Sequence, residues 1–344
     1  MFNVTAAVIQ NLYETKVRVN SQTVAAQNNA IRDSYYQVLV KVSGSKSITE
    51  VSELTSKAGD ARDLIQSFRF EIIDGERFMV AQFDEGKINQ LLTDIGKPIW
   101  GKRRPDTLLW FTWLNERDDR ELVTATADPE VKKILLEQAQ IRGIPFSFPL
   151  MDIEDAQIIH VYDVWGRFDG VVKRASQRYP NDNLVAARLF DRRQLTTANT
   201  EVSEQMRWQI DWQVLNDELI EEGTLFAAER NQVVTQFIDM LANKLAEKFA
   251  VVSRSYETQN SVTMTIINLD SIEAYVSAKK FLESLAIVNS VRLLNVSGQN
   301  ATFQLDIVGV QEDLINTLEL DAKISQKTDP FGRVVNEMEF IWLR

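Results

Sequence analysis

Residues 290–308 read SVRLLNVSGQNATFQLDIV, and this stretch decides the fold class. Phe303, Leu305 and Ile307 alternate with Thr302, Gln304 and Asp306, the period of a strand with one buried face. Ser290–Val296 precedes it as a second strand, and Ser297-Gly298-Gln299-Asn300 between them is a hairpin turn. Working outward, Val262, Met264 and Ile266 open an earlier strand. Asp270 or Ser271 can cap a helix carrying Ile272, Tyr275, Val276, Leu282 and Leu285. Downstream, Val310, Leu314, Ile315 and Leu318 mark a short helix, and Glu337–Trp342 is the last strand. The order from about Asn260 to Arg344 is β-α-β-β-α-β, which predicts a ferredoxin-like module. That fold hosts many functions and assigns none of them.

The rest of the chain carries the same mixture. From about Asn11 to Asn115, Tyr13, Thr15, Val17 and Val19 alternate with Glu14, Lys16 and Arg18, as in a half-buried strand. Ile31, Tyr35, Val38, Leu39 and Val42 recur at helical spacing up to Gly44, where a helix would stop. A second helical stretch is predicted over Thr49–Ser67. Phe68–Ile73 and Phe78–Phe83 flank the hairpin signal Asp74-Gly75-Glu76-Arg77. Glu85–Ile95 reads as a helix, and the nearly all-apolar Thr107–Leu114 reads as a strand covered on both faces. From about Asp128 to Ser253, Asp128-Pro129-Glu130 starts a helix that runs to Arg142 and stops at Gly143. Asp169–Tyr179 is expected to be helical and Leu184–Phe190 extended. Met206, Trp208, Ile210, Trp212 and Val214 face one side of the clearest strand in the chain. Val234, Phe237, Ile238, Leu241, Leu245 and Phe249 then mark a long amphipathic helix. The expectation is α+β: three modules, at 11–115, 128–253 and 260–344, with mainly antiparallel sheets.

Composition narrows the chemistry. The 344 residues include 49 acids and 38 bases, a net charge of −11, which is the wrong sign for a nucleic-acid coat. There is no cysteine and a single histidine, His160, so disulfides, thiolate metal sites and cysteine nucleophiles are excluded. Neither a Gly-x-Ser-x-Gly elbow nor a phosphate-binding glycine loop occurs. The segment Val42–Ser47 contains Gly, Lys and Ser but follows a helix, so its amides gain no helix N-terminus. Asp152, Glu154 and Asp155 are the densest acidic group and read as a solvated loop. No run reaches the roughly 18–20 apolar residues that span a bilayer. No catalytic, cofactor or metal residue is assigned. The one feature against the acidic trend is the loop Lys97–Arg104, where Trp100 stands among Lys97, Lys102, Arg103 and Arg104. It reads either as a connector whose Trp packs down or as an interaction loop for an anionic or aromatic partner, since Arg and Trp are favoured at binding hot spots.

A set of landmarks runs through the first half of the chain. These are Leu12-Tyr13-Glu14, Val38-Leu39-Val40-Lys41-Val42-Ser43-Gly44, Pro98-x-Trp100-Gly101, Arg104-Pro105, Trp110, Gly143-Ile144-Pro145 with Pro149, Asp163-x-Trp165-Gly166, and Ser176-x-Arg178-Tyr179. As an ordered set they resemble the proteobacterial domain-of-unknown-function family 2066 over most of the chain. The resemblance implies a periplasmic protein whose signal peptide has been removed here, and no known activity. A cytoplasmic protein is the alternative. The order of strand Leu184–Phe190, strand Met206–Val214 and helix Gln232–Phe249 resembles the N-terminal domain of TolB and related envelope proteins of the curli-secretion type, which bind proteins. The leading expectation is a non-enzymatic periplasmic envelope protein that binds protein partners as a scaffold or assembly module, with no cofactor, no nucleic acid and no transmembrane segment, and with a homo-oligomer open. The rivals are a carboxylate-based hydrolase of a cell-wall glycan and a small-ligand-binding protein.

Overall fold

Alternation around Phe303 produces the sheet it predicts. In the computed structural model, which describes residues 7–21, 23–195, 202–215, 220–252, 260–285, 287–321, 323–334 and 336–343, the C-terminal sheet has five strands. Their spatial order is Val288–Ser297, Asn300–Ile307, Asn260–Ile267, Glu339–Trp342, Ile324–Gln326. Asn260–Ile267 and Glu339–Trp342 run parallel and the other neighbours antiparallel. This is the ferredoxin-like arrangement with one short edge strand added. Val262, Met264, Ile266, Phe303, Leu305 and Ile307 are buried against Phe281, Leu282, Leu314 and Leu318 of helices Ile272–Glu283 and Gln311–Glu319. Ser271, not Asp270, caps the first of these helices, accepting the Ala274 N–H at 3.1 Å.

At the N-terminus, Glu14–Arg18, Glu76–Phe83 and Ile65–Ile73 form an antiparallel sheet in that order. Helix Val24–Ser43 is capped by Thr23 and ends at Gly44, whose φ is 76°. The helix expected over Thr49–Ser67 is broken into the short helical turns Lys46–Glu50, Ser52–Lys57 and Ala58–Leu64, and the strand already begins at Ile65. Only Ile48, Leu54, Ala58 and Ala61 are buried there, too thin an apolar stripe to hold one long helix. The hairpin is tighter than its sequence signal. Ile73 pairs with Glu76, leaving the two-residue turn Asp74-Gly75 with φ of 52° and 79°.

The third sheet, of six strands, is mixed. Its order is Ile220–Ala227, Trp208–Leu215, Asn183–Asp191, Thr107–Leu114, Arg120–Val123, with Phe146–Ser147 also on Thr107–Leu114. Thr107–Leu114 and Asn183–Asp191 run parallel. Thr107–Leu114 therefore belongs to this sheet and not to the N-terminal one, and it is covered on both faces as its composition requires. Leu108 and Trp110 pack among Val164, Val172 and Ala175. Phe111 meets Phe237 of helix Arg230–Phe249 at 6.0 Å. Met206 lies outside the strand and is 40% exposed. The polar side of Trp208–Leu215 is also inside: Asp211 is buried, bonded to Arg188, Gln209 and Thr224.

The chain groups into two compact units. One is built on Pro105–Ala242 and the other on Val8–Arg104 with Asn243–Arg344. The second contains two separate cores, one under each of its larger sheets.

Candidate functional site

The loop Lys97–Arg104 is held by backbone before its side chains act. Pro98 and Ile99 pair with Val251–Val252, and the Trp100 N–H donates to the Val42 carbonyl at 2.7 Å. Trp100 is 1% exposed and Arg104 is fully buried. The Arg104 guanidinium stacks 3.9 Å from the Trp100 ring centre. It donates to the carbonyls of Lys41 at 2.6 Å, Trp100 at 3.0 Å and Gly101 at 3.1 Å. Lys41 lies in the same core and donates to the carbonyls of Asn11 and Glu14. Burial, and then the neighbouring Arg104, pull its ammonium down to about 8. Arg103 turns toward the C-terminal sheet's helices: it pairs with Asp321, donates to Ser284 and lies 4.8 Å from the Phe281 ring. Lys102 is half-buried and pairs with Glu85, and Lys97 is half-buried as well. Trp100, Arg103 and Arg104 thus act inward, binding the loop into the fold, and Lys97 and Lys102 are its half-exposed cations.

A groove opens where the two parallel strands end. A cavity of about 510 Å³ at the carboxyl ends of Thr107–Leu114 and Asn183–Asp191 is lined by Trp113, Asp191, Arg207, Trp208 and Arg230 among others. Open sheets with parallel strands offer ligands this position. Arg207 and Arg230 stand 5.6 and 6.0 Å from the Trp208 ring centre, and Asp191 accepts from Arg207 at 2.7 Å. The Trp113 Nε1 is buried without a partner among the described residues. An aromatic wall suits a flat small molecule, and its guanidiniums are already matched, Arg207 by Asp191 and Arg230 by Glu130, with Glu116 and Glu229 also in the lining. These residues are far apart in the chain, so no local signal announced them.

Of the acidic group, Asp152 and Glu154 are exposed as expected, but Asp155 is not solvated. Asp155 is fully buried, accepting from the Tyr179 hydroxyl, from the Met151 N–H at 2.8 Å and from Arg178 at 3.2 Å. Asp152 takes a two-pronged bond from Arg178 at 2.7 and 3.0 Å, which holds its carboxyl down at about 2. The Ser176-x-Arg178-Tyr179 landmark is a clamp of this network, and Ser176 also accepts from Trp110 Nε1 at 2.9 Å. His160 is exposed just before the short helix Val161–Trp165, where its N–H donates to Asp163. A second carboxylate pair forms where the same parallel strands begin. The Asp106 N–H donates to Asp182 at 2.9 Å, and the Asp182 and Asn183 N–H groups donate back to the Asp106 carbonyl. Burial, and then the Asp182 charge, push the Asp106 carboxyl up to about 6. Among the described residues no three acidic or histidine side chains converge to hold a metal ion.

Comparison with known families adds two matches. Residues 6–101 match a domain of unknown function (DUF8605), and residues 260–332 match DUF2066. The resemblance to family 2066 therefore applies to the C-terminal module and not to most of the chain. The landmarks from Leu12 to Gly101 fall inside the other match, and those from Arg104 to Tyr179 fall in neither. No curated protein and no solved structure matches the chain.

Proposed function

We propose that this chain is a non-enzymatic cell-envelope protein, periplasmic in its mature form, that binds other proteins as a scaffold or assembly module. The observation that carries the reading is the apolar groove of the C-terminal module. A cavity of about 440 Å³ lies between helix Ile272–Glu283 and the hairpin of Val288–Ser297 and Asn300–Ile307. Its rim carries Ile272, Leu293 and Val296, which are 78%, 39% and 55% exposed. Its floor is Tyr275, stacked on Phe303 at 5.8 Å. Val288–Ser297 is an edge strand, so an extended segment of a partner could add backbone hydrogen bonds beside an apolar pocket. The cysteine-free composition suits an oxidising compartment. Photo-crosslinking in living cells tests this. A photoreactive residue at Ile272 or Val296 should give discrete protein adducts, and one at Lys133, 66% exposed in the other unit, should not. The same adduct pattern at all three positions, or none, would defeat the reading, and fractionation of the full-length protein away from the periplasm would defeat its compartment.

A second reading, small-ligand binding, is favoured by the groove at Arg207, Trp208 and Arg230. A thermal-shift screen of planar aromatic compounds of either charge tests it, because a ligand selective for the folded state raises apparent stability. The glycan-hydrolase alternative requires turnover of a cell-wall polymer that neutralising a single carboxylate, such as Asp106→Asn, abolishes.

A further inference from the structure

The N-terminal sheet ends in Ile65–Ile73, a nine-residue strand that no other strand covers on its outer side among the described residues. Phe68, Phe70 and Ile72 are 40%, 43% and 71% exposed on it. They stand opposite Ala81, Met79 and Arg77, and Ala81 and Met79 are fully buried, so the apolar row continues the core face of the sheet past its edge. Phe68 and Phe70 meet edge to face at 6.0 Å.

The backbone pattern of this edge follows from its turn. The two-residue loop Asp74-Gly75 makes Ile73 and Glu76 a hydrogen-bonded pair. Alternation then pairs Glu71 with Phe78 and Arg69 with Val80. Phe68, Phe70 and Ile72 must therefore aim their N–H and C=O groups outward. The opposite strand agrees: the Arg77 carbonyl, facing Ile72, accepts from Val19 on its far side at 2.8 Å.

The sequence of this edge is complementary to itself. Two copies laid antiparallel about a two-fold axis at Phe70 bring Phe70 to Phe70, Phe68 to Ile72, and Arg69 to Glu71. Every outward-facing backbone group of these three residues then meets another. The neighbouring registers that keep this hydrogen bonding put Arg69 opposite Arg69 or Glu71 opposite Glu71, and like charges directly opposite are destabilising. On the solvent face of one copy Arg69 already pairs with Glu71 at 2.8 Å and with Glu14 at 3.2 Å. The second copy would extend this into a lattice of alternating charge. We propose that two copies of the chain associate through Ile65–Ile73, paired antiparallel about Phe70, so that two three-stranded sheets become one.

This goes beyond binding of a foreign partner and does not depend on the C-terminal groove, whose crosslinks it leaves unchanged. Sedimentation velocity over a range of concentrations tests it. The unmodified chain should dimerise by about 100 µM. Arg69→Glu alone, or Glu71→Arg alone, places like charges opposite at every cross-strand position and should weaken the dimer at least about tenfold. An equimolar mixture of the two variants places opposite charges at every position and should restore the dimer as a hetero-pair, visible by native mass spectrometry. Circular dichroism melts establish that both variants are folded. A chain that stays monomeric, variants that dimerise as well as the parent, or folded variants that fail to pair when mixed would each overturn the proposal.

Discussion

Arg104 carries its charge at zero exposure and spends its donors on backbone carbonyls, so its role is to hold the chain around it. Arg104→Ala would leave the carbonyls of Lys41, Trp100 and Gly101 short of a donor and open a space beside Trp100. The expected loss is about 3–5 kcal/mol in urea unfolding. Lys102→Ala, two residues away at the surface, should change stability by less than about 0.5 kcal/mol. Equal effects would mean that the loop is not divided into a buried and an exposed part. Asp106 makes a pH-dependent prediction. Its carboxyl is raised to about 6 in the folded chain, so the folded state holds more protons than the unfolded state between about pH 4 and 6. Stability from this group is complete below about pH 4 and is lost as the pH rises through about 6. Asp182 is raised as well and adds in the same direction. Asp106→Asn should therefore stabilise the chain at pH 7, by on the order of 1 kcal/mol after allowing for partial solvent screening. It should also flatten the pH profile between 4 and 6, and a profile unchanged by the substitution would remove Asp106 as its source.

Elements succeed or fail in this chain according to how they end and what pairs with them. Helix Val24–Ser43 ends in a left-handed residue, and Gly44 is required there twice over. Its φ is 76°, and a Cβ would lie 2.3 Å from the Ala246 Cβ and 2.9 Å from Trp100. Gly44→Ala should cost about 3 kcal/mol or more, combining backbone strain with overpacking. Gly96 also has a positive φ, 61°, but has open space around it, so Gly96→Ala should cost only about 1 kcal/mol. Thermal melts of the pair separate the two causes, and equal losses would show that crowding by Ala246 and Trp100 adds nothing. Gly44 was legible in the sequence as a helix stop because the apolar spacing from Ile31 to Val42 ends in front of it. The loop was legible only in outline. Its cations and Trp100 stood out, but nothing local says that Arg104 turns back on Trp100 while Lys102 turns out. The burial of Asp155 was not legible for a related reason: its partners, Arg178 and Tyr179, lie more than twenty residues downstream.

For the whole molecule, 49 acids against 38 bases set a pI near 4.9. Solubility should pass through a minimum close to pH 5 and recover on either side, because net charge keeps copies apart. A turbidity titration checks this, and a minimum more than about one pH unit away would mean that net charge does not set the solubility of this chain. The C-terminal module was legible except for its short edge strand Ile324–Gln326, because its other strands and helices follow one another in the chain. The six-stranded sheet was not, because its strand Thr107–Leu114 pairs in parallel with a strand more than seventy residues later.

By itself the sequence determined the α+β class, the ferredoxin-like order after Asn260, the helix stop at Gly44, and the exclusion of thiol and disulfide chemistry. Each of these depends on residue identity or on spacing within a few turns. Tertiary structure alone decided that Thr107–Leu114 joins the six-stranded sheet, that Trp100 and Arg104 face the core, and that guanidiniums and indoles meet at the ends of the parallel strands. Periodicity records whether a face is buried, but the identity of what buries it is set by contacts between segments distant in the chain.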